Sequence, residues 1–305
     1  MDKLNDFKVF VRAAQHCSFS AAAWELGMTP SAVSKAVQRL EKYLGTRLVN
    51  RTTRSLSLTE DGAEFFDRCR QILDEIEEAE LALNQSNSFP KGLLRISLAV
   101  AIGHLHIIPA LANFIERYPD LKLEVALSDR MVDLVEEGID ATVRVGDGSE
   151  SRLIMRRLAT ARFVICAAPA YLARYGEPKT PEDLNAHQCL NFLSPRTGRA
   201  FDWFFQRDGE AFNLPIDGRI RFNHSESLLA AAIAGAGLIQ VHRYIAGTAI
   251  ANGELKPVLE LFAPTTGSPI AVLYPQKRHL SAKVRVFVDF MSNLMAQLKQ
   301  QRIVE

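Results

Sequence analysis

Four cysteines in 305 residues, with no C-x-x-C pair among them, supply neither a disulfide framework nor a thiolate metal site. Cys17, Cys69 and Cys166 fall in apolar-patterned segments, and Cys189 follows an expected loop. Reduced thiols filling core space in a cytosolic protein are expected, with a redox pairing of Cys166 and Cys189 as the alternative. Long uncharged apolar runs are absent too, and the start Met1-Asp2-Lys3-Leu4-Asn5-Asp6 has no apolar leader. A cytoplasmic chain, neither secreted nor membrane-spanning, is therefore expected. A nucleophile elbow, a phosphate loop and a dinucleotide fingerprint are all missing; Gly235-Ala236-Gly237 lacks the rest of that last pattern. Net charge is also small, +1, and by itself points to no polyanionic partner.

The distribution of charge is more informative than its sum. Residues 1–60 carry nine Lys and Arg against five Asp and Glu. Residues 60–80 reverse the sign, with Glu60, Asp61, Glu64, Asp67, Asp74, Glu75, Glu77, Glu78 and Glu80. A basic head followed by an acidic helix confines phosphate attraction to the head. Hydrophobic residues make up 48% and charged residues 23%, which is ordinary globular usage, and the length suits two domains or one large one.

Within the head, Leu4, Phe7, Phe10 and Val11 lie on the apolar face of a first helix. Ser18 can cap a second, Phe19–Leu26, that ends at Gly27. Thr29 and Pro30 open a third, whose stripe Val33, Val37, Leu40 and Leu44 is core-facing and which stops at Gly45. Residues 48–58 read as a hairpin wing around Arg51-Thr52-Thr53-Arg54. Helix, glycine-bearing turn and helix in these proportions predict a helix-turn-helix. A reading helix enters the major groove end-on, so hydrogen-bonding groups must crowd its first turns, and Thr29, Pro30, Ser31, Ser34, Lys35 and Gln38 do so. Ser34 and Lys35 suit base edges, Pro30 a thymine methyl, and Gln38 or Arg39 a phosphate. The wing residues Arg51, Thr52, Thr53 and Arg54 suit backbone or minor groove.

Residues 60–85 predict one long helix, capped by Thr59 with acids in its first turn. Phe66, Cys69, Leu73, Ile76 and Leu83 step by three and four, and a dimerising seam is expected of them. Residues 86–92 are polar and breaker-rich, a hinge. Strands are then expected at 93–98, 122–127, 141–145, 163–167, 220–222, 238–241 and 270–274. Helices are expected at 107–118, 131–137, 169–175, 225–234, 244–252 and 281–299. Such alternation predicts α/β structure with largely parallel sheets.

The run Phe19-Ser20-Ala21-Ala22-Ala23, then Leu26-Gly27-Met28-Thr29-Pro30-Ser31-Ala32-Val33-Ser34-Lys35, Leu40-Glu41, Leu44-Gly45-Thr46-Arg47-Leu48 and 51–59 resembles the LysR-type transcriptional regulators. Gly92-Leu93-Leu94-Arg95-Ile96, Tyr118-Pro119, residues 133–140, Arg156-Arg157-Leu158 and Ala168-Pro169-Ala170-Tyr171-Leu172 look like that family's effector domain. The resemblance spans the chain. It implies a winged helix-turn-helix domain at 1–59, a linker helix and hinge at 60–92, and a periplasmic-binding-protein-like α/β region at 93–305. Of that region, 93–161 and 264–305 would form one subdomain and 162–263 the other. The implied partners are double-stranded promoter DNA, a small-molecule effector and a second copy or three further copies of the chain; RNA polymerase is a further candidate.

In open α/β sheets ligands bind beyond the carboxyl ends of strands. Those ends offer Ser97, Ala99, Val100, Ala101, Ile102, Gly103, Ser128, Arg144 and Gly146 from the first subdomain. The second offers Phe192, Ser194, His224, Ser225 and His242. The serines can donate to ligand oxygens or simply cap helices, and Arg144 or Arg196 can pair with a carboxylate. The apolar loop 99–102 favours a partly apolar or aromatic organic acid over a small, highly charged effector. His104-x-His106 on a strand-like piece would aim two rings one way, but no third ligand has suitable spacing, so no metal or cofactor is expected. Two other readings stay open: a constitutive repressor without effector, and an enzyme or solute carrier with an N-terminal assembly module.

Overall fold

The computed structural model describes residues 3–51, 56–83, 90–130, 133–134, 136–146, 153–194, 197–276 and 280–305. It divides into two compact units, Met1–Ser88 and Phe89–Glu305.

The first unit is helical. Helices α1 (Lys3–Gln15), α2 (Phe19–Leu26) and α3 (Pro30–Leu44) precede the hairpin β1 (Val49–Arg51) and β2 (Leu56–Leu58), and α4 (Glu60–Leu83) follows. The caps fall where the sequence put them. Ser18 Oγ accepts from the Ala21 amide and Thr29 Oγ1 from the Ala32 amide, both at 3.3 Å. Gly27 and Gly45 end α2 and α3 in the left-handed region, at φ 63° and 74°. Phe10, Ala22, Val33, Val37 and Leu40 are fully buried and form the centre of the core. β1 and β2 pair antiparallel, Val49 opposite Leu58.

The second unit holds two five-stranded sheets. Its elements begin with β3 (Gly92–Leu98), the short α5 (Val100–Ile102), a π-helical turn at Gly103–Ile107, α6 (Ile108–Arg117) and β4 (Leu121–Leu127). They continue through β5 (Ala141–Val145), β6 (Leu153–Ala161), β7 (Phe163–Ala167), α7 (Pro169–Tyr175), β8 (Cys189–Phe192), β9 (Trp203–Arg207), β10 (Glu210–Leu214) and β11 (Ile220–Phe222). The last are α8 (Ser225–Ile233), β12 (Leu238–His242), α9 (Arg243–Ala251), β13 (Lys256–Val258), β14 (Ser268–Pro275) and α10 (Ala282–Gln300). One sheet has the order β4-β3-β5-β14-β6 and the other β11-β8-β12-β7-β13.

In each sheet four of the five strands run one way, as expected of largely parallel sheets, and one strand is reversed. β3 pairs parallel with β4 and β5, whereas β14 pairs antiparallel with β5 and β6. β8 likewise pairs parallel with β11 and β12, but β7 runs antiparallel to β12 and β13. The cause is the route of the chain. β6 runs into β7 across one residue, so β7 enters its sheet from the end at which β8 and β12 leave theirs. β14 enters the first sheet by the return crossing and is reversed for the same reason.

One expectation fails, and several strands were missed. The described residues of the helix expected over 131–137, namely 133–134 and 136–137, form a turn instead: Asp133 Oδ1 accepts from the Glu136 amide, and Gly138 takes φ 63° directly after it. Strands β6, β8, β9, β10 and β13 were not foreseen. For β9–β10 a signal existed, because Asp208-Gly209 takes positive φ at both residues (50° and 86°) between aromatic strands.

A buried ion pair closes the first sheet against α10. Lys283 Nζ lies 3.0 Å from Asp140 Oδ1 and donates to the Leu93 carbonyl at 2.8 Å, while the Arg95 amide donates to Asp140 Oδ2 at 2.9 Å. Lys283→Met removes one partner and leaves a largely desolvated carboxylate. It should destabilise the chain by about 3 kcal/mol, read from the urea midpoint at neutral pH, with Asp140→Asn/Lys283→Met recovering part of the loss.

Candidate nucleic-acid interface and regulatory cleft

On α3 the sequence pattern produces two faces. Val33, Ala36, Val37 and Leu40 are fully buried, while Thr29, Pro30, Ser31, Lys35, Gln38 and Arg39 are exposed and Ser34 is half-buried. Thr29 Oγ1 lies 3.1 Å from Ser31 Oγ. Arg39 is exposed but not free. Its Nη2 lies 2.6 Å from Asp6 Oδ1 and its Nε donates to Oδ2 at 3.4 Å, and that carboxylate, on α1, is buried. The bond and the charge of Asp6 together raise the Arg39 pKa.

The wing is anchored from below. Glu41 Oε1 accepts from the amides of Leu48 and Val49 at 3.0 and 3.2 Å. Thr59 Oγ1 donates to the Arg47 carbonyl at 2.6 Å and accepts from the Gly62 amide at 2.9 Å. A Cβ on Gly62 would fall 1.9 Å from the Leu48 carbonyl oxygen, so α4 can start against the wing only with glycine there. Thr52, Thr53 and Arg54 lie outside the described residues, as does the side chain of Arg51.

The expected seam on α4 is divided. Cys69 is fully buried in the head's own core, and Phe66 and Leu73 pack against that core. Cys69 therefore fills its own domain rather than a partner's. Ile76 is half-buried, Ile72 is 43% exposed, and the Leu83 side chain lies outside the described set. The 3–4 step along this helix mixes head packing with whatever α4 presents outward, which is why sequence alone merged them.

In the second unit, Ser97, Ser128 and Arg144 converge at the carboxyl ends of β3, β4 and β5. Arg144 is buried; its Nη2 donates to Ser97 Oγ at 3.2 Å and its Nη1 to the Ser128 carbonyl. Burial lowers its pKa, while the charges of Asp129 and Glu137 act the other way. Among the described residues it forms no ion pair. The apolar loop is largely committed inward. The Ala99 amide donates to Val143 and the Val100 amide to Asp129 Oδ1, each at 2.9 Å, while Ala101, Ile102 and Gly103 are buried. Of the five loop residues expected to meet a ligand, only Ala99 and Val100 retain partial exposure. Gly146, at φ 103°, donates its amide to Pro269 at 2.9 Å.

At the carboxyl end of β8, Phe192 stacks on Phe201 with centroids 6.0 Å apart, and Ser194 Oγ accepts from the Thr197 amide. Arg196 lies outside the described residues. His224 is exposed at the start of α8, makes no side-chain cap there, and Ser225 is its first residue. The His242 ring is stacked between Phe163 (4.2 Å) and Tyr244 (5.5 Å), and its Nε2 lies 3.1 Å from Ser268 Oγ on β14. It thus sits where the chain crosses between the sheets. His104 and His106 correct another expectation, since they lie on a π-helical turn and not a strand. His106 Nε2 bonds the Tyr244 carbonyl at 2.8 Å, whereas His104 is exposed, 3.9 Å from Glu226. Tyr244 was not singled out in the sequence, and its contact with His106 was not foreseen, because only the fold brings 100–130 beside 226–244.

Among the described residues no three His, Cys, Asp or Glu side chains are grouped to hold a metal ion. Cys166 and Cys189 are buried and their thiols pushed up to about 12 by desolvation, which suppresses the reactive thiolate. Cys17 departs from the expectation of core packing: it is exposed, at φ 49° in the turn after α1. No described helix is long and apolar enough to cross a membrane.

A capped helix pair with an exposed polar face, joined in one chain to a two-sheet α/β unit, has relatives among known proteins. Residues 4–63 match the bacterial regulatory helix-turn-helix proteins of the lysR family, and residues 87–296 match the LysR substrate binding domain. The chain is a LysR-type transcriptional regulator. It is 37% identical over 297 residues to an HTH-type transcriptional repressor of Pseudomonas aeruginosa, covering 97% of this chain and 93% of that one. The regulator CrgA of Neisseria meningitidis is 36% identical over 287 residues, 94% of this chain and 95% of its own. The solved CrgA structure superposes with TM-score 0.62 over 95% of this chain and 98% of that one. AphB, a virulence activator of Vibrio cholerae, gives 0.60 at 26% identity over 95% of this regulator and 98% of its own chain. These relatives regulate transcription, and as a member of their family the regulator is a DNA-binding protein.

Burial between aromatic rings lowers the His242 pKa from 6.5 to about 4. The unfolded chain therefore takes up a proton at this residue before the folded one does. Its contribution to stability is complete above about pH 6.5 and is lost as pH falls toward 4. His242→Phe should flatten the decline in urea midpoint between pH 7.5 and pH 5; an unchanged slope would remove His242 as its source.

Proposed function

We propose that the regulator reads promoter DNA with the exposed face of α3 and responds to an organic acid bound between its two sheets. Lys35 and Ser34 would meet base edges, Pro30 a thymine methyl, and Thr29, Ser31, Gln38 and Arg39 the adjoining base edges and phosphates. Arg51, Thr52, Thr53 and Arg54 of the wing would hold the flanking backbone. Two heads joined through α4 would span successive major grooves about 34 Å apart, as a dimer or a dimer of dimers in the cytoplasm. RNA polymerase is the further partner proposed.

The observation that carries the effector reading is Arg144. A buried guanidinium that feels Asp129 and Glu137 but makes no direct ion pair among the described residues leaves room for one, and a carboxylate at the strand ends would supply it. Ala99 and Val100 at the end of β3, and Phe192 at the end of β8, favour an acid with an apolar or aromatic body. Cleft closure around such a ligand would change how the paired heads engage and bend DNA.

Fluorescence anisotropy with the DNA upstream of the regulator's own gene, against scrambled DNA, tests the first half. A preference of about 10³-fold is expected at physiological salt. Lys35→Ala should weaken cognate binding far more than random binding, and Arg51→Ala should weaken both alike and flatten the salt dependence. Identical behaviour of the two variants would sink these roles. For the cleft, a panel of aromatic and aliphatic carboxylates should include one that raises the Tm of the full chain. Arg144→Lys, which keeps the charge but loses the fork, should weaken that ligand about tenfold or more. No shift with any acid would favour a constitutive repressor.

A further inference from the structure

The side chain on α1 that faces the reading helix is a carboxylate, and it need not have been. Asp6 is 1% exposed, whereas the Arg39 side chain it binds is 55% exposed. An apolar residue at position 6 would pack α1 against α3 at least as well, because removing a carboxylate from water is costly even when it is paired. Packing therefore does not explain the pair. Its geometry offers another explanation. Asp6 engages Nη2 at 2.6 Å and Nε at 3.4 Å, one edge of the guanidinium, and Nη1 has no protein partner among the described residues. A long cation on an exposed helix is otherwise free to sample many rotamers. Held along one edge, it presents the other in one fixed direction.

We propose that Asp6 is a positioning residue for DNA recognition. It fixes the Arg39 fork so that the free edge meets a single phosphate oxygen, and it neutralises the excess charge that would let Arg39 bind DNA of any sequence. Arg39 then sets the register of α3 in the groove, and Asp6 sets Arg39. This rests on the reading of α3 as the DNA-contacting helix.

Anisotropy on cognate and scrambled DNA, across a salt series, separates the possibilities. Asp6→Asn should weaken cognate binding about fivefold while leaving scrambled DNA equal or tighter, so that the specificity ratio falls. Arg39→Lys, which keeps the charge and cannot be gripped along a planar edge, should reproduce that pattern. Arg39→Ala should weaken both DNAs and reduce the salt slope by about one. If Asp6→Asn lowers Tm but leaves the specificity ratio unchanged, the pair merely joins two helices and the proposal fails. If Arg39→Ala changes neither DNA, Arg39 touches no phosphate, and the assignment of Arg39 to the interface fails with it.

Discussion

The regulatory unit depends on one topological constraint: the chain crosses twice between its two sheets. β6 passes into β7 through Arg162 alone, and β14 returns after β13. Each crossing strand enters its new sheet from the cleft, so it must run against the parallel strands already there. The carboxyl ends of β3, β4 and β5 and of β8, β11 and β12 are thereby left facing the same gap. Strand ends carry the groups that bind ligands, and the crossings bring two sets of them together. The crossing itself is packed with flat rings. Phe163, His242 and Tyr244 stack beside Ser268, so the junction is mostly apolar and its one imidazole stays neutral.

The head obeys a different constraint, the need to hold a reading surface still. Carboxylates from within do much of that. Glu41 takes two wing amides, and Asp6 takes one edge of Arg39. Close packing of α4 at Gly62 on the Leu48 carbonyl fixes the other side of the wing. These contacts use backbone amides, a half-buried acid and a buried one, so they are screened by salt less than ion pairs between two fully exposed side chains. That matters for a surface whose DNA affinity is itself salt-dependent.

The helical head was legible in the sequence because its information is local. Caps at Ser18 and Thr29, glycine stops at 27 and 45 and a single apolar stripe each act within a few residues. The regulatory unit was legible by element but not by sheet. β6 is an edge strand largely open to solvent, with Arg156 and Arg157 at its centre, so neither alternation nor an apolar run marks it. Strand direction depends on where the chain crosses, which no window of sequence contains. The cleft was legible in part. Ser97, Ser128 and Arg144 converge as strand ends should, whereas Ala101, Ile102 and Gly103 turn inward because 100–107 is helical. A helix gives a loop one outward side, and five consecutive residues cannot all share it.

Charge placement connects the two halves of this reading. A regulator must discriminate its site from a large excess of other DNA, and cations that bind any phosphate work against that aim. Its net charge of +1 shows how little general attraction the chain retains. The acids that follow the basic head along α4, and the carboxylate beneath Arg39, oppose non-directional binding at long and short range respectively. On the exposed face of α3, Arg39 has its direction set by Asp6. Arg144 is held in the same way at the end of β5, where Ser97 and the Ser128 carbonyl fix a buried fork. Preorganisation of that kind lowers the entropy lost on binding, so selectivity comes from geometry that folding has already fixed.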